Sequence, residues 1–258
     1  MNFDMNVTII SFADSPRRER VTANLMALGL AWTYFDALRE PPAHLPQYDE
    51  AQSVRFWGRS LSPGEIGCAA SHLAVLSELA ASPKEIWTLV LEDDVALDPG
   101  FDFKALLTLC KTGEIGFLRL YARHAPSLRN VTWLGQRELI RFKRAPMGTQ
   151  AYLISSRDAR SFVNSVEAIS RPIDWEMDRF WHNGLANYAL FPFPCIELTT
   201  GSLIKKHVQS NRRPSPIDRF AWFAWKSKEA LRRLLANLRL RHRDKKIRKA
   251  FQQHPLEF

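Results

Sequence analysis

The sequence has little that would direct it into a membrane or an oxidising compartment. No apolar run approaches the length of a membrane span, and the first residues, MNFDMNVTIISF, lack the basic n-region of a signal peptide. The three cysteines, Cys68, Cys110 and Cys195, are odd in number and form no metal-ligand spacing. We therefore expect reduced, buried cysteines in a cytoplasmic protein.

Outside one short segment the chain has no net charge. Residues 226–249 contain eleven Lys or Arg against Glu229 and Asp244, and the resulting +9 equals the net charge of the whole chain. The remainder is balanced, with 25 basic and 25 acidic residues. Because an enzyme that acts on nucleic acid more often carries its basic patch on the folded body, we expect no nucleic-acid partner.

The most informative stretch is IWTLVLEDDVAL, residues 86–97. Its apolar part is typical of a strand buried on both faces, and it ends in Glu92, Asp93 and Asp94. Carboxylates crowded at the end of a buried strand repel one another and resist desolvation. A hard divalent cation such as Mg²⁺ or Mn²⁺ would make the cluster favourable, at the edge where open α/β sheets bind ligands. The alternative is a solvated turn.

Strand and helix patterns alternate along the chain and predict a three-layered α/β fold with a sheet that is mostly parallel in its first half. Ser62 and Glu65 form a capping box with Pro63 at the first helical position, and Gly29 ends the first helix. We expect strands at 7–12, 32–38, 86–91, 116–122 and 150–155, helices at 16–28, 63–80, 156–166 and 175–183, and a long loop at 41–58.

Four blocks of sequence, in order along nearly the whole chain, resemble glycosyltransferase family 25, the bacterial lipooligosaccharide galactosyltransferase group. Residues 9–20 with 32–38 are similar to the opening strand, double-Arg helix start and FDA strand of that family. The other blocks are LSPGEIGCAASHLAVL at 61–76, LEDDVAL at 91–97, and MGTQAYLISSRDA at 147–159 followed by RPIDWEM at 171–177. GSLI at 201–204 and the basic C-terminus are similar to the galactosyltransferase subgroup.

The resemblance implies a GT-A-like, Rossmann-type nucleotide-sugar-binding domain, which we place at residues 1–219. A C-terminal basic amphipathic helical extension would occupy residues 220–258. The implied reaction is an inverting transfer of a sugar, galactose from UDP-galactose, onto a lipooligosaccharide or lipopolysaccharide core. Mn²⁺ or Mg²⁺ would assist it by neutralising the charge that develops on the nucleoside diphosphate.

The resemblance also assigns roles to the acidic residues. Glu92 and Asp94 have the spacing of the DxD motif, so Asp94 is the first choice as metal ligand, and Glu92 or Asp93 would contact the ribose or a metal-bound water. His207, in SLIKKH, is a further candidate metal ligand. Asp174 is the candidate catalytic base, with Glu176 in reserve. By composition alone, Asp174 would instead be the N-cap of the helix at 175–183.

The remaining donor-binding candidates each have a structural alternative. Glu65 and His72 lie two turns apart on one helix face, but Glu65 also fits the capping box and His72 a hydrogen-bonded core position. Arg17 and Arg18 stand at a helix N-terminus, where the dipole disfavours cations, so they either hold the donor diphosphate or form a solvated surface pair. Asp36 ends a strand and would bind uracil or ribose, or cap a turn.

The C-terminal segment has the pattern of an interfacial amphipathic helix at residues 220–238, followed by a densely basic stretch at 239–249. Such a segment is attracted to anionic lipid by about 1 kcal/mol per basic residue near the surface. We therefore expect peripheral association with the inner face of the cytoplasmic membrane, beside a glycolipid acceptor. The alternative is a helix packed on the catalytic domain with a disordered basic end.

Three alternative functions follow from the same residues. The same fold would also suit UDP-glucose or another nucleotide sugar. The protein could instead be a non-catalytic basic module that binds membrane or nucleic acid. In that case Glu92, Asp93 and Asp94 would form only a structural turn. A metal-dependent phosphoesterase is disfavoured, because that chemistry usually requires several His and Asp ligands and the His residues here are scattered.

Overall fold

The computed structural model describes residues 5–198 and 216–256, with side chains of the last helix described from Trp222 onward. An eight-stranded mixed sheet has the strand order β2-β1-β3-β8-β5-β9-β7-β6. Its strands are β1 (Met5–Ser11), β2 (Thr33–Asp36), β3 (Trp87–Glu92), β5 (Phe117–Arg119), β6 (Leu128–Leu134), β7 (Arg137–Phe142), β8 (Ala151–Ser155) and β9 (Tyr188–Phe191). A second antiparallel pair joins β4 (Val95–Leu97) to β10 (Cys195–Glu197).

The first half of the sheet is parallel, as predicted, since β1 pairs in parallel with both β2 and β3. The second half is mixed. Strand β8 is antiparallel to β3 and to β5, β9 is parallel to β5, and β7 and β6 complete the edge in antiparallel pairing. The parallel half matters for function, because it brings the carboxyl ends of β1, β2 and β3 to the same edge.

Helices cover both faces of the sheet, which confirms the three-layered prediction. The helices are α1 (Arg17–Ala27), α2 (Glu50–Gln52), α3 (Pro63–Ala80), α4 (Ala105–Thr112), α5 (Ser156–Ser165), α6 (Ile173–Met177), α7 (Phe180–Asn183) and α8 (Pro216–Gln253). One core layer joins the sheet to α1, α4 and α8, and the other joins it to α3, α5 and α6. In β3, Leu89 and Leu91 belong to the first layer and Val90 to the second, which explains the uninterrupted apolar run.

Locally encoded helix ends are confirmed. In the capping box of α3, the Ser62 hydroxyl accepts from the Glu65 N–H and the Glu65 carboxylate accepts from the Ser62 N–H. Helix α1 ends before Gly29, which has a φ of +61° that a side chain would disfavour. The acidic strand is also where the sequence placed it.

Two predicted segments are corrected. The long loop expected at residues 41–58 contains α2, capped by Asp49, and a π-helical turn, Ser53–Trp57. The helix expected at 175–183 is two short helices, α6 and α7, separated by Asp178 and Arg179. Asp174 lies inside α6 and is not its N-cap, because α6 begins one residue earlier and the N-cap position is Pro172.

Helix α8 packs on the body of the protein along much of its length. Ile247 and Phe251 are buried in the core layer of α1 and α4. Asp244 is buried and accepts hydrogen bonds from Arg141 of β7 at 2.8 and 2.9 Å and from the Tyr188 hydroxyl at 3.0 Å. The boundary expected between residues 219 and 220 falls inside α8, and Asp244, Ile247 and Phe251 anchor the extension to the body of the protein.

None of the helices in the described residues is both long enough and apolar enough to cross a membrane. The GSLI block at 201–204 and the candidate metal ligand His207 lie outside the described residues.

Candidate active site

The carboxyl ends of the parallel strands bring the candidate donor-binding residues to one edge. Ser11 is in register with Asp36 across β1 and β2, and Ile10 is in register with Glu92 across β1 and β3. Asp93 and Asp94 follow Glu92 in the turn between β3 and β4. The three consecutive acids have three different environments, which separates their possible roles.

Asp93 is bound by the loop that leads from β1 into α1. Its Oδ2 accepts hydrogen bonds from the hydroxyls of Ser11 and Ser15, both at 2.7 Å, and its Oδ1 lies 3.3 Å from the Arg17 guanidinium. The side chain is thus occupied in holding that loop against the end of β3. A contact between Asp93 and the donor stays a prediction.

Glu92 faces the opposite direction, toward α3. Its Oε1 accepts from the Thr149 hydroxyl at 2.6 Å and lies 3.4 Å from Nε2 of His72. Burial alone would raise the pKa of Glu92, but the contacts with His72 and Thr149 outweigh it, so the pKa is lowered overall. His72 is fully buried, and its Nδ1 shares a 2.9 Å hydrogen bond with the Tyr152 hydroxyl. The structure therefore places His72 next to the acidic cluster, on the side that faces α3.

Asp94 is the acid without a committed partner. Its Oδ1 is buried and has no hydrogen-bond partner among the described residues, while its Oδ2 lies 3.7 Å from the Arg17 guanidinium. Burial, together with the carboxylates of Glu92 and Glu197, raises the pKa of Asp94 to about 7. A buried oxygen that lacks a donor and is crowded by like charges is the arrangement that a bound cation relieves.

Glu197 is a fourth acid at this site, and the sequence did not indicate it. Pairing of β10 with β4 places it opposite Val95, next to Asp94. Its Oε2 accepts from the Tyr121 hydroxyl at 2.5 Å, and burial and this contact raise the pKa of Tyr121 to about 12. A strand of three residues gives no periodicity, so no sequence signal marked Glu197.

Asp174 holds the loop that precedes β8. Its Oδ2 accepts from the Gly148 N–H at 3.2 Å, and its Oδ1 accepts from the Trp175 N–H at 2.8 Å. Asp178, which forms a fully buried ion pair with Arg119, accepts from the neighbouring Met147 N–H. The φ of Gly148 is +92°, and an added Cβ would meet the Tyr121 ring at 2.9 Å. This loop in turn carries Thr149, the donor to Glu92.

Two other candidates, Glu65 and Glu176, are engaged in ion pairs. The carboxylate of Glu65 accepts from both terminal nitrogens of Arg59 at 2.9 and 2.7 Å, in addition to its place in the capping box. Glu176 lies between the guanidinium groups of Arg171 and Arg179. These contacts give both acids a structural role, and their predicted roles in donor binding and catalysis remain predictions.

The last donor-binding pair lies at the outer end of β2. Arg18 contacts Asp36, whose side chain is 70% exposed, and also donates to the Ser11 backbone carbonyl at 2.9 Å. Both side chains border the edge that carries the acidic cluster, and the position of Asp36 is open to a bound ligand.

The acidic cluster fits a hard divalent cation. Asp94 provides an unpartnered buried oxygen, and the carboxylates of Glu92 and Glu197 contribute to its raised pKa. Carboxylate oxygens are the ligands that Mg²⁺ and Mn²⁺ prefer. Asp94 with Glu92 or Glu197 would hold the ion, leaving positions for phosphate oxygens.

Comparison with known protein families gives one match. The model of the family described as "Glycosyltransferase family 25 (LPS biosynthesis protein)" matches residues 5–177, two thirds of the chain, from β1 through α6. Comparison with the curated proteins gives no match. The matched range contains the acidic cluster, His72 and Asp174, and it ends before Glu197 and α8.

The raised pKa of Asp94 predicts a specific dependence of stability on pH. Because the pKa is higher in the folded protein than the value of 3.8 expected when unfolded, this residue's stabilising contribution is present below about pH 4 and is lost as the pH rises through 7. In a chelating buffer at pH 8, Asp94→Asn should therefore be more stable than the parent by about 2–4 kcal/mol, and the difference should vanish toward pH 4. Denaturant unfolding curves across this pH range measure it.

Asp14→Asn, at an exposed acid in the loop before α1, is the matched control and should change stability little at any pH. Parallel pH curves for the parent and Asp94→Asn would contradict the assignment of an uncompensated carboxylate to Asp94.

Proposed function

The chain belongs to glycosyltransferase family 25, and from that premise we propose that it is an inverting, metal-assisted enzyme of lipopolysaccharide biosynthesis that transfers galactose from UDP-galactose to a core glycolipid. Membership in the family supports glycosyltransferase activity and implies that the protein binds a nucleotide-sugar donor and an acceptor. The sugar, the stereochemistry and the metal belong to the proposal.

The observation that carries the proposal is the buried, unpartnered Oδ1 of Asp94 at the carboxyl end of the parallel strands. In open α/β sheets this edge is where nucleotides bind. Structural acids in the same turn, such as Asp93, have every oxygen occupied by protein donors. A solvated turn would leave Asp94 in water and would not bury it.

Arg17 and α1 support binding of a diphosphate at this edge. The guanidinium of Arg17 lies within 4 Å of both Asp93 and Asp94, at the N-terminus of α1. Helix N-termini and arginine side chains both favour phosphate oxygens. When bound, the cation would supply neutralisation of the charge on the departing diphosphate. The protein's own part is to orient that diphosphate beneath Arg17.

Asp174 supports the proposal of direct displacement with inversion. The acids Glu92, Asp93 and Asp94 are engaged with the proposed cation or with the loop before α1, so the group that accepts the proton of the acceptor hydroxyl should come from another segment. Asp174 is 9% exposed, and its two carboxylate oxygens accept hydrogen bonds from the backbone N–H groups of Gly148 and Trp175, which fix its orientation. A carboxylate positioned in this way can act as a general base.

Donor choice is proposed from the resemblance of the sequence blocks to the galactosyltransferase group. UDP-glucose and other nucleotide sugars are the alternatives, because selectivity depends on a few polar contacts to single hydroxyl groups.

The exposed face of α8 supports association with an anionic membrane, which we propose as the surface that presents the glycolipid. Phe223, Leu231, Leu234, Leu235 and Leu238 are all more than 40% exposed. At 100° per residue they lie opposite the face that buries Glu229, Asp244 and Ile247. Exposed Lys and Arg residues flank this apolar stripe, the arrangement of an interfacial helix.

A donor screen tests the function. With Mn²⁺ or Mg²⁺ and no acceptor, the protein should release UDP slowly from UDP-galactose and less from other UDP-sugars, because a transferase admits water in place of its acceptor. EDTA should abolish the release and added Mn²⁺ should restore it, while Asp94→Asn should remain inactive with metal. Asp14→Asn should behave as the parent. Full activity in metal-free buffer would refute the metal assignment, and no release from any donor would favour a binding module.

The role of Asp174 is tested by Asp174→Asn. The amide oxygen can still accept from the Gly148 N–H, so the loop keeps its support while the base is lost. The kcat should fall by about 10²-fold or more, with little change in the dissociation constant of the donor. Steady-state kinetics and donor titration separate the two quantities.

Asp178→Asn is the matched control, because it disturbs the same loop from a fully buried position and should chiefly lower stability. If it reduces kcat as much as Asp174→Asn does, or if Asp174→Asn weakens donor binding with kcat intact, Asp174 positions the loop or the donor and is not the base.

The membrane proposal is tested with point variants, since removing α8 would also remove the buried residues Asp244, Ile247 and Phe251. Replacing Leu231, Leu234 and Leu238 together by Ser should weaken binding to phosphatidylglycerol-containing vesicles by about 10²-fold, at about 1 kcal/mol per side chain. Vesicle sedimentation measures it. Met26→Ser, at an equally exposed apolar residue of α1, should have no effect. Unchanged binding of the triple variant would rule out the stripe as the docking face.

A further inference from the structure

Three side chains of different chemistry meet behind the acidic edge. The ligand atoms of Cys68, His72 and Glu92 all lie within 4.8 Å of one another. Cys68 and His72 are four residues apart on α3, so they project from the same face of that helix. Glu92 approaches them from the end of β3. A thiol, an imidazole and a carboxylate from two rigid elements are thus directed at one point.

His72 provides an independent indication that this point receives a ligand. The residue is fully buried, and its Nε2 has no hydrogen-bond partner among the described residues. Its other ring nitrogen, Nδ1, is held by the Tyr152 hydroxyl at 2.9 Å. A buried ring nitrogen that makes no hydrogen bond costs free energy, and native proteins seldom leave one. Nε2 of His72 lies 3.4 Å from Glu92 Oε1 but does not form a hydrogen bond with it. The contact at Nδ1 fixes the ring so that Nε2 faces Cys68 and Glu92, as hydrogen bonds do for metal-binding histidines.

The separation of His72 Nε2 from Glu92 Oε1 matches a tetrahedral zinc site. Nitrogen and oxygen ligands that lie about 2.0–2.1 Å from zinc at the tetrahedral angle are about 3.4 Å apart. The observed distance from His72 Nε2 to Glu92 Oε1 is 3.4 Å. A thiolate and an imidazole favour zinc and disfavour Mg²⁺, which prefers oxygen ligands alone.

We propose that Cys68, His72 and Glu92 form a zinc-binding site that shares Glu92 with the acidic edge. Three protein ligands leave a fourth coordination position. Cys68 and Glu92 are half-buried and His72 is fully buried, so solvent can reach two of the three ligands. Apart from Glu92, the site differs from the proposed Mn²⁺ or Mg²⁺ site in its ligands, and it differs in the class of metal that it selects. Zinc binding does not depend on the proposed function.

Cobalt is the probe for this site, because Co²⁺ takes the place of Zn²⁺ and a thiolate ligand gives it a charge-transfer absorption in the near ultraviolet. The full-length protein, stripped with chelator and free of donor, should bind one equivalent of Co²⁺ with this absorption, and one equivalent of Zn²⁺ should displace it. Cys68→Ala should lose the absorption and bind Zn²⁺ at least about 10²-fold more weakly, since even the supporting contacts of metal ligands are worth about 10- to 100-fold in affinity.

Cys110→Ala is the matched control, because Cys110 is fully buried in the other core layer and should leave the absorption unchanged. A parent protein without the absorption, or a Cys68→Ala variant that keeps it, would overturn the zinc site. The result is separate from the donor screen: a protein that releases UDP without the cobalt absorption refutes only the zinc site, and the converse refutes only the proposed function.

Discussion

Crowding of three carboxylates at the end of one buried strand is the constraint on which the site depends. The fold gives two of them hydrogen-bonding or charged protein partners and leaves one buried oxygen of the third without a hydrogen bond. Asp93 accepts hydrogen bonds from the Ser11 and Ser15 hydroxyls and pairs with the Arg17 guanidinium, and these contacts hold the loop before α1 in place. Glu92 accepts a hydrogen bond from the Thr149 hydroxyl and lies 3.4 Å from Nε2 of His72. Of these three acids, only Asp94 has a buried oxygen without a hydrogen-bond partner in the described part of the chain. The division explains how such a charge-dense turn is compatible with a stable domain.

The loop before β8 links this cluster to the candidate base. Met147 and Gly148 both have positive φ, which glycine adopts freely but which methionine keeps only where neighbouring groups enforce it. Asp174 and Asp178 enforce it by accepting the two backbone N–H groups, and Arg119 holds Asp178 in the interior. A single acidic segment, residues 174–178, therefore determines where Thr149 meets Glu92. The geometry of the acidic edge and the position of Asp174 therefore depend on the same set of contacts.

What the sequence predicted correctly was encoded locally. The capping box at Ser62, the stop at Gly29 and the apolar run of β3 each depend on neighbours in sequence, and each is where the pattern indicated. The π-helical turn at Ser53–Trp57 was missed because distant contacts stabilise it, among them Trp57 with Trp175 and Phe56 with Trp225. Glu197 was missed because strand pairing alone brings it to Asp94. The grouping of Cys68 and His72 with Glu92 was missed because the third side chain comes from a separate strand, which only the fold brings to α3.

The attachment of α8 has a kinetic consequence. Arg141 and Asp244, both buried, are 103 positions apart in sequence, and Arg248 contacts the Val131 carbonyl across 117. Contacts of such long range form late, since the entropy of closing the loop must be lost before they are made. Until α8 docks, Arg141 and Tyr188 lie on an uncovered face of the antiparallel half of the sheet. A species with that face exposed is prone to self-association, so the yield of native protein should depend on how quickly the last helix docks.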